Sequence, residues 1–161
     1  MILPSIADGW LFAPGDDPSW AAVPPAAAAP IEVNRSWEKA GHPDLDGFGW
    51  YFRRVELPPG VTGALGLFLG RIDDADEVYV NGTLVARTGG FPPAFQSEWN
   101  TNRWHLIPAA LVTGELLIAV RVFDNGGGGG MVEGLPRIMT RADYDAAMAR
   151  RFGPERSFFE I

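Results

Sequence analysis

The sequence predicts an all-β chain, an antiparallel β-sandwich of jelly-roll type followed by a short C-terminal helix. Three observations predict it. Gly (20) and Pro (14) are abundant, and they punctuate the chain at short intervals, which suits strands joined by tight turns better than a helical bundle. Apolar residues alternate with period two in ALGLFLG (64–70) and ELLIAVRVF (115–123), the spacing that puts successive side chains on opposite faces of a strand. Asn81-Gly82 stands between EVYV (77–80) and TLVART (83–88), and this dipeptide supplies the positive φ angles of a two-residue type I′ hairpin.

Taken in order, GWLF (9–12) reads as a first short strand, and PGDDPSW after it is turn chemistry. AAVPPAAAAP (21–30) is broken by prolines, so it predicts an extended surface crossing and not a helix. NRSWEKAGHPDLDG (34–47) is a loop. GWYFRRVELP (49–58) is a strand closed by Pro58-Pro59-Gly60, and ALGLFLG places Leu65, Leu67 and Leu69 on one face. The Asn-Gly hairpin follows, then NRWHLIP (102–108). In ELLIAVRVF, Leu116, Ile118, Val120 and Val122 alternate with Leu117, Ala119, Arg121 and Phe123. That predicts a strand buried on one face and partly covered on the other. LPRIMT (135–140) is the last of about eight strands. ADYDAAMARRF (142–152) is helical, with Thr140 as its cap and Gly153-Pro154 as its stop. The chain is expected to form one domain over 1–161, with core strands in 49–140 and the helix and tail in 141–161.

Composition narrows the function. The 161 residues are 47% hydrophobic and 20% charged, an ordinary globular balance. A net charge of −7 speaks against nucleic acid and anionic membrane surfaces as partners. The absence of cysteine removes disulfides, thiolate metal sites and cysteine nucleophiles. MILPSIADGW lacks the basic start and apolar run of a signal peptide, and no stretch reaches the ~20 apolar residues that span a bilayer. The expectation is a soluble chain of unknown compartment, extracytoplasmic if it is part of a longer exported protein.

The candidate chemistry is sparse. RIDDADEVYVNG (71–82) crowds Asp73, Asp74, Asp76 and Glu77 into five positions. Such carboxylates repel unless paired or solvated, so capping of turn amides or pairing with an arginine, Arg71 or Arg103, is expected in place of catalysis. Asp44 and Asp46 form a short acidic loop, for which an Asx-turn leading into the strand is expected over a structural calcium, while a metal on the 73–77 run stays open. No twelve-residue calcium loop is present, so no cofactor is expected. His42 and His105 lack a second ligand at metal spacing. No Gly-x-Ser-x-Gly elbow occurs. The five glycines at 126–130 lack the helix start and downstream acid of a dinucleotide site, and read as close backbone passage or a mobile loop. Asn81-Gly82-Thr83 and Asn34-Arg35-Ser36 match glycosylation sequons.

DGFGWYFRRVELP (46–58), LGRIDDADEVYVNG (69–82), TGGFPPAF (88–95), NTNRWHLIPAALVTGE (100–115) and IAVRVFDNGGGGG (118–130) occur in an order and spacing that carry a family resemblance. Together they resemble the galactose-binding-like jelly-roll domain of family 2 glycoside hydrolases, and still more the β-sandwich domain of bacterial sialate O-acetylesterases. They are also similar to extracytoplasmic sensor domains of bacterial signalling proteins. The resemblance implies a non-catalytic module, since the barrel with its catalytic glutamates and the esterase nucleophile block do not occur in this sequence. It also implies a sugar site at the loops after the sheet strands, pointing to Asp124 and Asn125.

Sugar sites set aromatic faces against the ring and bond its hydroxyls through Asp, Asn and Arg. Two loops offer that mixture, giving Trp99, Asn100, Asn102, Arg103, Asp124 and Asn125 as candidate ligand-binding residues, with Phe91, Phe95 and Glu133 nearby in sequence. The expected function is a non-catalytic carbohydrate-binding or ligand-sensing module, not itself an enzyme. Its partners would be a carbohydrate or other small polar ligand and a fused or associated catalytic or signalling domain. The alternative is a structural or protein-interaction domain with no small ligand. The apolar tail residues Phe158, Phe159 and Ile161 are expected to dock, on the sandwich or on a second chain.

Overall fold

In the computed structural model, which describes residues 2–152, ten strands and one α-helix form. The strands are β1 (Trp10–Pro14), β2 (Ala29–Ile31), β3 (Gly47–Glu56), β4 (Leu65–Asp73), β5 (Ala75–Val80), β6 (Thr83–Thr88), β7 (Asn102–Ile107), β8 (Glu115–Asp124), β9 (Gly130–Glu133) and β10 (Arg137–Thr140); the helix is α1 (Arg141–Phe152). They build two antiparallel sheets, one ordered β2-β1-β3-β8-β5-β6 and one ordered β10-β4-β7, with β9 also paired to β4. The all-β sandwich with a C-terminal helix is as the sequence predicts. The expected stop at Gly153-Pro154 and the docking of Phe158, Phe159 and Ile161 lie outside the described residues.

Two strands were not expected. β2 is three residues long and contains Pro30. It pairs only with β1 at the rim of its sheet, where a missing amide donor costs no ladder bond. β9 begins on Gly130 and pairs with β4 from Arg71 to Asp73 across a register shift at Arg71/Ile72. Neither is long enough to show alternation.

β8 lies between β3 and β5, and its alternation decides the two faces of the larger sheet. Leu116, Ile118, Val120 and Val122 are fully buried against Leu65, Leu67, Leu69 and Ile107 of the facing sheet. The opposite face carries Leu117 and Ala119, buried with Trp50 and Phe52 under Trp20 and Ala21. The 15–28 crossing thus covers that face, and Asp16 fastens it. Its carboxylate accepts from Trp50 Nε1 at 2.9 Å and from both Nε and Nη2 of Arg121, at 2.9 and 2.8 Å. At the hairpin, Asn81 (φ +50°) and Gly82 (φ +83°) take the expected left-handed pair. Helix α1 starts on the expected cap, Thr140 Oγ1 accepting from the Asp143 amide at 3.1 Å. It packs over β4 where Gly66 leaves room for Met139 and Tyr144.

Candidate ligand-binding end of the sandwich

β4 belongs to one sheet and β5 to the other, and the chain passes between them through a single residue, Asp74. The Asp73–Asp74 peptide is cis. The acidic run is therefore spread over three environments. Asp76 is on the core face of β5 and forms a fully buried ion pair across the sandwich with Arg103 of β7, Nε to Oδ1 2.8 Å. Glu77 faces outward and accepts from Tyr79, Arg87 and Arg121, at 2.9, 2.8 and 3.0 Å. Burial alone would raise its pKa, but these donors outweigh it and hold the carboxyl below its usual range.

Asp74 joins two loops. Its carboxylate accepts from Ser97 Oγ at 2.6 Å and from the Asn125 amide at 2.8 Å, and its carbonyl accepts from the Glu98 amide at 2.9 Å. The 89–101 loop, with Trp99, and the 124–130 loop, with Asn125, therefore meet at one point. A third segment arrives through Trp37, wholly buried, whose amide donates to the Gly129 carbonyl and whose indole donates to the Leu45 carbonyl. This packing explains part of the glycine run. A Cβ at Gly129 would stand 2.7 Å from both Trp37 and Asp124 Oδ2, whereas Gly126, Gly127 and Gly128 are exposed. It also carries Glu38, held by the Gly129 amide at 2.9 Å, and Asp46 towards Asp124.

The result is a knot of five carboxylates in two triads sharing Asp124: Asp73, Asp74 and Asp124, and Glu38, Asp46 and Asp124. Within each triad one oxygen per residue lies within 4.8 Å of the others. Burial, then neighbouring negative charge, pushes Asp73 and Asp124 up to about 7. Burial would also raise Asp74, but hydrogen bonds from Asp73, Ser97 and Asn125 outweigh it and its pKa is lowered.

The candidate residues divide. Trp99 is exposed (55%), as are Asn100 and Asn125, while Asn102 is partly buried at the start of β7. Asp124 is buried (1%). Arg103, expected among the ligand contacts, lies wholly inside. Its guanidinium is taken by Asp76 and by the carbonyls of Glu98 and Thr101, so it supports the Trp99 loop from beneath. Phe91 and Phe95 are half-buried: Phe91 packs on Phe48 and the Arg121 guanidinium, and Phe95 on Phe123. His105 sits opposite Leu67 on the β4–β7 ladder, part of a sheet face as expected. Glu38 was missed, and the association of Asp73, Asp74 and Asp124 with it has no signal in the spacing, because the three segments are far apart in sequence.

No protein-family model matches the chain, and no curated protein is significantly similar to it. Among solved structures, it is similar to Bacteroides uniformis β-glucuronidase 2, with 21% identity and a TM-score of 0.64, covering 81% of this chain and 17% of that one. It is similar to Faecalibacterium prausnitzii β-glucuronidase at 28% identity and TM-score 0.59, covering 77% of this chain and 21% of that one. A family 2 β-galacturonidase from Eisenbergiella tayi, bound to galacturonate, matches at 15% identity and TM-score 0.62, over 86% of this chain and 24% of that one. The chain has the β-sandwich fold found within these glycoside hydrolases and spans about a fifth of their length.

Proposed function

We propose that the chain is a non-catalytic carbohydrate-binding module that works as part of, or beside, a larger glycan-active protein. The observation that carries this reading is the convergence on Asp74 of two loops, one carrying the exposed Trp99 and Asn100 and the other the exposed Asn125. An aromatic face with amide groups around it suits a sugar ring and its hydroxyls. The likeness to β-sandwich portions of family 2 hydrolases supports the same class of ligand. Within each triad the nearest carboxylate oxygens lie within 4.8 Å of one another, not about 5–10 Å apart across a groove as glycoside hydrolysis needs, which favours binding over catalysis. With no cation bound, their charge favours neutral sugars, whose hydroxyls donate, over uronates.

The test is a thermal-shift screen against neutral mono- and oligosaccharides, with glucuronate and galacturonate as contrasts. A neutral sugar at a hundred times its Kd should add about 2.7 kcal/mol, roughly a 5–10 °C rise for a domain this size. Trp99→Ala should abolish the rise without lowering the unliganded Tm by more than about 1 °C, since the side chain is exposed. A flat screen in the wild type overturns the reading in favour of a protein-interaction domain.

A further inference from the structure

We propose that Asp73, Asp74 and Asp124 form a divalent-cation site, selective for Ca2+, that joins the β4–β5 crossing to the end of β8. The three carboxylates each offer an oxygen within 4.8 Å of the others, so one ion can reach all three. Only oxygen donors are present, and three carboxylates supply up to six of the six to eight that Ca2+ takes, water completing the set. Mg2+, which demands near-ideal octahedral geometry, fits such an irregular group less well.

A second observation points the same way. Asp124 is 1% exposed, its Oδ1 accepts from the Gly126 amide at 3.1 Å, and its Oδ2 is buried with no hydrogen-bond partner. An orphaned carboxylate oxygen in such a place is costly unless a cation or donor meets it. Among the described residues, no lysine or arginine forms an ion pair with Asp73, Asp74 or Asp124, nor with Glu38 or Asp46 beside them. The Arg103 guanidinium is bonded to Asp76 and meets Asp74 only at its backbone carbonyl. Gly129 gives Asp124 its room, because a Cβ there would stand 2.7 Å from Oδ2. The site does not depend on whether a sugar binds at the same end.

The fold supplies its own reporter. Trp37 lies 2.7 Å from that same Cβ position, so a Tb3+ ion held by Asp124 sits within sensitisation range of the indole. The experiment is titration of the chelator-treated full chain with Tb3+, read as indole-sensitised emission, then displacement by Ca2+ or Mg2+, with thermal melts in parallel. Saturable emission displaced more readily by Ca2+ than by Mg2+ is expected. So is a Tm rise of roughly 5–10 °C at a hundred times the Kd for Ca2+. Asp124→Asn and Asp73→Asn should abolish both signals, and Asp44→Asn, an exposed charge outside the cluster, should keep both. Should Asp124→Asn fail to fold, the half-exposed Asp73→Asn carries the comparison. Wild-type protein with neither signal, or signals equal in wild type and Asp73→Asn, overturns the proposal.

Discussion

At the scale of single residues, the Asp76–Arg103 pair sets the largest local cost. Both side chains are wholly buried and join the two sheets, so removing one partner strands a charge in the core. Arg103→Met should destabilise the fold by about 3–5 kcal/mol, read from urea unfolding. Asp76→Leu combined with Arg103→Met should recover a large part of that loss, and a double variant no more stable than the single would refute this account. His105, two residues along β7, is held at about 4 against an ordinary 6.5, by burial and then by the Arg103 charge. Between those values the unfolded chain binds more protons than the folded one, so stability falls as pH drops from 6.5 towards 4. The contribution is at most about 3–4 kcal/mol, and comparing unfolding of the wild type with His105→Gln across that window isolates it. The sequence allowed the pairing of the acidic run with Arg103, because crowded carboxylates need a counter-charge. It did not place that arginine inside, since an Arg beside Trp and Asn has the same composition whether it meets a ligand or a buried aspartate.

At the scale of elements, legibility followed length and periodicity. β8 and β4 have nine or ten residues with one face fully apolar, and both the inward set and the partial cover on the outer face of β8 were readable. β2 and β9, of three and four residues, owe their existence to neighbours already in place, and no local pattern announces them. The docking of α1 depends on a similarly silent feature. Gly66 faces Met139 and Tyr144 so closely that a Cβ would stand 2.6 and 2.8 Å from them. Gly66→Ala should therefore cost about 1–3 kcal/mol and speed amide exchange along α1. Unchanged exchange in the helix would show that it docks elsewhere.

At the scale of the whole molecule, the net charge of −7 is unevenly spread, with five carboxylates gathered at one end of the sandwich. A neutral sugar approaching Trp99 has no Coulomb term with that end, whereas a uronate is repelled. In chelator-treated protein, uronate affinity should rise with salt from about 0.05 to 0.5 M while neutral-sugar affinity stays flat, because screening shortens from more than 10 Å to a few ångströms. Calorimetric titration at the two salt levels checks this. The fold was legible across most of the chain. The charged end was not, because it is assembled by topology from residues 38–46, 73–74 and 124, which no spacing rule relates.

The single-residue passage at Asp74 also bears on motion. Ser97, Glu98 and Asn125 all bond to that residue, so the rim carrying Trp99 and the rim carrying Asn125 share one tether. Neither can swing out alone without breaking a bond to the same aspartate. Asp74→Ala should remove the bonds from Ser97 and Asn125 but leave the Glu98 amide on the main-chain carbonyl, so the Asn125 amide should gain exchange more than the amides of the Trp99 loop while the β3–β8 ladder keeps its protection. The Asn125 rim thus hangs on one side chain, whereas the Trp99 rim keeps a backbone bond to Asp74 and the Arg103 guanidinium beneath it.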